Sequence, residues 1–215
     1  MQNDTFRHQG MRNRLVSVLK EKEIQSTEVL AAISKVPRHL FIDPAFESHA
    51  YQNKAFPIGA AQTISHPYTV AFQSEALDCV LGNKVLEIGT GCGYQTAVLC
   101  EMGMQVYSVE RQQQLFKFAE KKLKSLNYKP KQLIFGDGYI GLKTEAPFDG
   151  IIVTAGAPFV PKPLLSQLKI GGKLIIPVGA GTTQIMHLYV RTDEKTFKKQ
   201  TFGEFKFVPL LEDKN

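Results

Sequence analysis

No run of about 18 apolar residues occurs, so the sequence offers no candidate for a membrane-spanning helix, and no membrane partner is expected. The segment Met1–Arg14 is polar and basic and no apolar stretch follows it, which argues against a secretory signal. Cysteine is scarce: Cys79, Cys92 and Cys100 are odd in number and form no Cys-x-x-Cys pair. That argues against a disulfide framework and a zinc site; no metal is expected, and a reducing cytoplasm is the expected setting. Internal repeats and low-complexity linkers are also missing.

What is present suits a globular chain. The 215 residues, 43% hydrophobic and 21% charged, are enough for one α/β domain or one domain with an added subdomain. The formal net charge of +6 is compatible with nucleic acid, an anionic surface or acidic peptides. The lysines are nevertheless spread over helices and the tail (Lys117, Lys121, Lys122, Lys124, Lys195, Lys198), which reads as solvated faces, so charge alone assigns no partner.

Along the chain, Arg12–Lys22 has the spacing of a short amphipathic helix. A second helix starts at an N-cap, Ser26, carries Glu28 in its first turn, and stops at Pro37. Phe41–Ile64 is turn-rich and too long for an ordinary connection, which marks it as a functional loop. Pro67 opens a helix to about Leu81, with Val70, Ala71, Leu77 and Val80 facing inward. From there strands and helices alternate: strands at 84–88, 105–109, 133–135, 150–153 and 173–178, helices at 95–102, 112–126 (Leu115, Phe118, Ala119 and Leu123 apolar) and 162–168. This alternation predicts a doubly wound, mostly parallel sheet. Gln184–Arg191 and Phe202–Val208 should add antiparallel strands at one edge. We divide the chain into a helical and substrate-loop region, 1–81, and an α/β core, 82–215, of a single domain.

The central motif is Glu87-Ile88-Gly89-Thr90-Gly91-Cys92-Gly93-Tyr94, which follows a strand and opens a helix. Its glycines permit a tight bend and let a ligand lie against bare backbone. Glu110 ends the second strand, where an acid can accept hydrogen bonds from ribose hydroxyls, and Asp137-Gly138 ends the third. Each acid alone also suits a solvated turn or a helix cap; three features at three successive strand ends point to a nucleoside crevice. The dinucleotide fingerprint wants glycine or alanine where Tyr94 stands, and no phosphate-binding Gly-Lys-Ser exists. Glu87, two residues before the first glycine, suits a cationic amino group and would repel a pyrophosphate. The pattern therefore reads as a site for S-adenosylmethionine. After the fourth strand stands Thr154-Ala155-Gly156-Ala157-Pro158, not the Asn- or Asp-Pro-Pro-aromatic motif of base-nitrogen methylation, and no cysteine lies beside proline as cytosine C5 methylation requires. The acceptor is expected to be oxygen on a small molecule or protein, and no nucleic-acid partner is expected.

Phe56-Pro57-Ile58-Gly59, Gln62-Thr63-Ile64-Ser65-His66-Pro67-Tyr68, Val85–Gln95, Val109-Glu110-Arg111, Gly136-Asp137-Gly138, Ala146–Asp149, Gly171–Leu174, Pro177-Val178-Gly179 and Phe207–Leu210 closely resemble the protein-L-isoaspartate O-methyltransferase family, from about Arg38 to Leu211. The resemblance implies a seven-stranded sheet of the class I S-adenosylmethionine-dependent methyltransferase type. It also implies methyl transfer from S-adenosyl-L-methionine, leaving S-adenosyl-L-homocysteine, to the free carboxylate of L-isoaspartyl residues in damaged proteins and peptides. A cytoplasmic monomer is the expected form.

By the same resemblance Ser65 is the catalytic residue. The cofactor is expected against Glu87, Ile88, Gly89, Thr90, Gly91, Gly93, Glu110, Arg111, Asp137 and Gly138. The substrate is expected against Ile58, Gly59, Gln62, Thr63, Ile64, His66 and Val208, with Phe56–Ile64 and Phe205–Leu210 holding its backbone. Two positions depart from the family: Cys92 stands where serine is common and His66 where glutamine or alanine is common. His66 either touches the peptide or caps the following helix. Two rival readings are an S-adenosylmethionine enzyme acting on RNA or a small molecule, and a non-catalytic binding module on the same fold.

Overall fold

The computed structural model of the chain describes residues 4–213; Met1–Asn3, part of the basic amino-terminal run, lie outside the described residues. In chain order come helices α1 (Phe6–Glu21) and α2 (Thr27–Lys35) and two 3₁₀ segments, Arg38–Phe41 and Pro44–His49. The hairpin β1 (Phe56–Gly59) and β2 (Gln62–Ile64) follows, then α3 (Pro67–Leu77). The core runs β3 (Lys84–Ile88), α4 (Tyr94–Glu101), β4 (Gln105–Glu110), α5 (Gln113–Ser125), β5 (Gln132–Phe135), β6 (Phe148–Val153), α6 (Lys162–Ser166) and β7 (Leu168–Val178). It closes with β8 (Gln184–Arg191) and β9 (Phe197–Phe205).

Seven strands form one sheet in the order β5-β4-β3-β6-β7-β8-β9. The first five in that order pair in parallel, while β8 and β9 return antiparallel, as the sequence predicts. One face buries Leu86, Ile88, Ile151, Val153, Leu174 and Ile176, and the other buries Val85, Val106, Ile152 and Ile175. Both faces of the central strands are thus apolar, as a parallel sheet covered on two sides requires. A further buried cluster joins Leu15, Leu19, Val29 and Ile33 of the first two helices to Phe56, Ile64, Tyr94, Ala97 and Val98. The amino-terminal helices are therefore stapled to the start of α4, directly behind the glycine motif.

Several elements depart from expectation. Helix α1 begins six residues earlier than Arg12, at Phe6, because Thr5 and His8 form a reciprocal cap in which the Thr5 hydroxyl accepts from the His8 amide and the Thr5 amide donates to His8 Nδ1. The turn-rich region holds the hairpin, closed by Ala60 and Ala61, both at positive φ as a two-residue hairpin turn demands. Helix α3 ends at Leu77 because Asp78 turns left-handed, which leaves Val80 66% exposed instead of inward. Phe118 of α5 likewise sits on the outer side, 41% exposed. Strand β7 begins at Leu168 and passes Gly171-Gly172 through an irregular register with β6. The last strand spans Phe197–Phe205, five residues before the expected start.

Candidate active site

The chain leaves β3 toward β4 on one side and later returns to β6 on the other, so the strand order reverses at β3. Crevices in doubly wound sheets open beyond the carboxyl ends of the strands at such a reversal. Here a cleft opens at that point. Its floor is the glycine loop. Gly89 has φ +95 and its carbonyl accepts from Thr154 Oγ1 at 2.6 Å; a Cβ on Gly89 would stand 2.5 Å from that oxygen. A side chain is therefore excluded by conformation and by space together. At Gly91 a Cβ would meet Ile58 of the hairpin at 3.3 Å, so the hairpin closes over the loop.

Glu110 stands at the end of β4, 4% exposed. One carboxylate oxygen accepts from the Gly91 amide at 2.8 Å and the other from the Gln112 amide at 2.8 Å. Each oxygen keeps a lone pair for a ligand hydroxyl. Ile88, Val109, Leu115 and Leu210 give the cleft an apolar stretch of wall beside the polar Gln62, Thr63 and Thr154. Among the lining residues Arg111 is the cation, and its Nε donates to the Asp213 carbonyl at 2.6 Å. An acid, bare backbone and apolar walls fit a nucleoside without phosphates.

Glu87 is placed differently from the sequence expectation. It is fully buried under the loop and does not line the cleft. One oxygen accepts from Thr96 Oγ1 at 2.5 Å and Ser108 Oγ at 2.7 Å, while Oε1 has no hydrogen-bond partner among the described residues. Burial pushes this carboxyl up to about 8, against the pull of the two hydroxyls. A buried acid with an orphaned oxygen fits a cationic group arriving above the loop, since a cation would favour its ionised form.

Beside the cleft lies a recess lined by Ile64, Ser65, Cys92 and Tyr94, which shares Thr63, Gly89, Gly91 and Thr154 with the cleft as a common wall. The half-buried Ser65 hydroxyl has no hydrogen-bond partner among the described residues, and His66 is the N-cap of α3 by position but makes no side-chain cap bond. The Ser65 backbone is held from behind by Arg38. That guanidinium is fully buried and donates to the carbonyls of Ala50 at 2.9 Å, Lys54 at 3.0 Å and Ser65 at 2.9 Å, with the Tyr94 ring 4.9 Å away. The cysteines offer no nucleophile here: burial raises the Cys92 thiol to about 11.

The cleft brings together Ile58, Gln62 and Thr63 of the hairpin, Ile88, Gly89 and Gly91, Glu110 and Arg111, Gly138, and Val208. Ile64, Ser65 and Thr90 face the recess, and His66 lines a separate groove. Gly93 instead caps α4. Asp137 turns back to accept from the Tyr139 amide at 2.8 Å, and Gly59 ends β1, paired with Gln62. Sequence reasoning missed Thr154, which locks the glycine bend, and Arg38, which anchors Ser65; neither lies in a recognisable nucleotide motif. It also missed Leu115, an apolar residue indistinguishable in sequence from a core position, whereas Leu210 lies in the Phe205–Leu210 segment expected to hold the peptide and lines the cleft.

A family profile described as protein-L-isoaspartate(D-aspartate) O-methyltransferase matches residues 10–215. A protein-L-isoaspartate O-methyltransferase of Flavobacterium psychrophilum is 64% identical over 212 residues, covering 99% of each chain. Its counterpart in Christiangramia forsetii is 61% identical over 212 residues, again covering 99% of each. A solved protein-L-isoaspartate O-methyltransferase superposes with a TM-score of 0.83 at 28% identity, covering 92% of this chain and 65% of that one. A Plasmodium falciparum structure in complex with S-adenosyl-L-homocysteine shares the fold, with a TM-score of 0.81 at 24% identity, covering 96% of this chain and 99% of that one.

Proposed function

The chain belongs to the protein-L-isoaspartate(D-aspartate) O-methyltransferase family, and from that premise we propose how its residues divide the work. It transfers a methyl group from S-adenosyl-L-methionine to the free carboxylate of L-isoaspartyl residues in proteins and peptides, the opening step of their repair. The sheet is accordingly of the class I methyltransferase type. The donor supplies a methyl group made electrophilic by its sulfonium.

We assign the donor to the cleft. Gly89 and Gly91 would offer bare backbone, Glu110 would receive ribose hydroxyls through its free lone pairs, and Gly138 would keep the far wall clear, since a Cβ there would stand 2.4 Å from Ile88. Ile88 and Arg111 would frame this bed, Thr90 and Gly93 would hold the loop behind it, Asp137 fixes the bend before Gly138, and Glu87 would provide negative charge from beneath. The acceptor carboxylate is ionised at neutral pH, because its unperturbed pKa is near 4, so no general base is needed. The protein's task is alignment, which can contribute roughly 7–11 kcal/mol. Ser65 is assigned the aligning role: its hydroxyl would donate to one carboxylate oxygen and leave the other to attack. The observation that carries this is a Ser65 hydroxyl with no hydrogen-bond partner among the described residues, on a residue whose carbonyl Arg38 anchors, in a recess shared with the glycine loop. Ile58, Gly59, Gln62, Thr63, Ile64, His66 and Val208 would hold the flanking peptide.

We further propose a single domain, supported by the buried cluster that runs from α1 to α4. We also propose a monomer, and a reducing cytoplasm supported by three unpaired cysteines. The test is methyl transfer from labelled donor to an isoaspartyl peptide, its normal aspartyl twin and total RNA. Label is expected on the isoaspartyl peptide alone; transfer to RNA or equal transfer to both peptides would overturn the reading.

A further inference from the structure

A third hollow lies outside the machinery described so far. Tyr68, Thr69 and Phe72 of α3 form one side, and Phe202 to Lys206, at the end of β9, form the other; His66 and Asn53 stand at one rim. Four aromatic rings line it in mutual contact. Tyr68 stacks on Phe205 with centroids 6.3 Å apart, and Phe72 meets Phe205 and Phe202, each at 5.1 Å. All four are half-buried, so apolar faces are left open to solvent.

Two chain segments tie this groove to the active site. The run 62–68 gives Gln62 and Thr63 to the cleft, Ser65 to the recess, and His66 and Tyr68 to the groove. The run 202–211 gives Phe202–Lys206 to the groove and Val208–Leu211 to the cleft. Cleft, recess and groove therefore follow one another along the 62–68 run, with Ser65 between the cleft residues and the groove residues, while the 202–211 run joins groove to cleft directly. An extended polypeptide advances about 3.3 Å per residue, so one whose isoaspartyl carboxylate rests at Ser65 has its neighbouring residues within reach of the groove on one side only. The charges around the groove are mixed in sign: Glu204 and Lys206 are both exposed, Lys22 Nζ lies 5.7 Å from the Tyr68 ring centroid, and burial beside Arg38 lowers the His66 pKa, favouring its neutral form.

We infer that this aromatic groove is a specificity subsite that takes an apolar, above all aromatic, side chain of the damaged polypeptide on one flank of the isoaspartyl residue. The inference rests on the reading of Ser65 as the place of the acceptor carboxylate. It gives the enzyme a ranking among damage sites: an isoaspartate beside an aromatic residue is captured at lower concentration than one in a polar stretch. The edge-to-face and stacked geometry already present among the four rings is that which an added ring can join.

The test uses isoaspartyl hexapeptides with a single phenylalanine moved through the two positions before and the two after the isoaspartate, compared with an all-serine-flanked parent. With the wild-type chain, phenylalanine on one flank is expected to lower KM roughly three- to ten-fold, and on the other flank to have no such effect. Two variants probe the groove. Phe205→Ser opens it, and Gly203→Phe fills it at a position where an added Cβ meets nothing within 4 Å. In both, the ratio of kcat/KM for the phenylalanine peptide to that for the serine parent should fall toward one, with thermal melting confirming folding. A wild-type chain indifferent to phenylalanine on either flank, or a preference that survives both variants, overturns the inference. Failure of the underlying reading looks different, since the serine-flanked parent itself would then not be methylated.

Discussion

Glu87 shows how one residue's type can be legible while its placement is not. Its position two residues before Gly89 announced a carboxylate for a cationic ligand, yet that carboxylate lies beneath the loop, held by Thr96 and Ser108. The β3 register decides this: a side chain pointing into a two-sided core cannot also face the crevice. Burial raises its pKa to about 8 from the model-peptide value of 4.5. The folded chain then keeps a proton that the unfolded chain releases above 4.5, so stability from this group is full at low pH and is lost as pH rises toward and through about 8. In the absence of donor, Glu87→Gln should flatten the decline in melting temperature between pH 6.5 and 8.5; a decline of unchanged slope would mean that Glu87 is ionised in the folded chain. Arg38 was illegible for another reason. Its partner carbonyls lie 12, 16 and 27 residues away, and nothing local in Pro37-Arg38-His39 signals them.

At the scale of elements, the strands buried on both faces were readable because their apolar runs are bounded by turns, and β3 carries its expected limits, Lys84–Ile88. Elements that touch solvent were less so. Strand β9 lies at the sheet edge with most residues exposed, so it shows no alternation. Helix α1 reads short in the sequence because Gly10 and the polar stretch around it mask the period. That glycine gives a contrast with the cofactor loop. Gly10 has open space around a built Cβ, so Gly10→Ala should stabilise by roughly 0.5–1 kcal/mol. Gly89→Ala must place a side chain at positive φ, 2.5 Å from Thr154 Oγ1, and should lose roughly 1–3 kcal/mol together with donor binding. Calorimetric titration and melting of the two variants check both; a Gly89→Ala chain that melts and binds normally would contradict the loop geometry.

At the scale of the whole molecule, the amino-terminal region behaves as the back wall of the site. His39 is buried, stacks on His8 at 3.7 Å, and bonds the Tyr51 hydroxyl at 2.6 Å, while its Nε2 has no partner among the described residues. Burial, with His8 nearby, lowers its pKa to about 4 from 6.5. The unfolded chain takes up a proton that the folded chain refuses in that window, so stability is present above 6.5 and is lost as pH falls toward 4. His39→Gln should make the acid limb of a melting-temperature profile shallower between pH 6.5 and 4.5, and an equally steep limb would place the acid sensitivity elsewhere. The net charge of +6, by contrast, needs no nucleic-acid partner: Lys117, Lys121, Lys124 and Lys198 are exposed and scattered.

The placing of the acceptor at Ser65 is tested most directly by the Ser65→Ala chain, with donor affinity measured by calorimetry and turnover measured on an isoaspartyl peptide. Because the hydroxyl has no hydrogen-bond partner among the described residues, the melting temperature should be unchanged and the donor Kd should stay within about two-fold of wild type. Turnover should fall roughly 10- to 100-fold, the loss of one hydrogen bond to a charged oxygen. Undiminished turnover, or a loss of donor affinity that matches the loss of rate, would contradict the assignment.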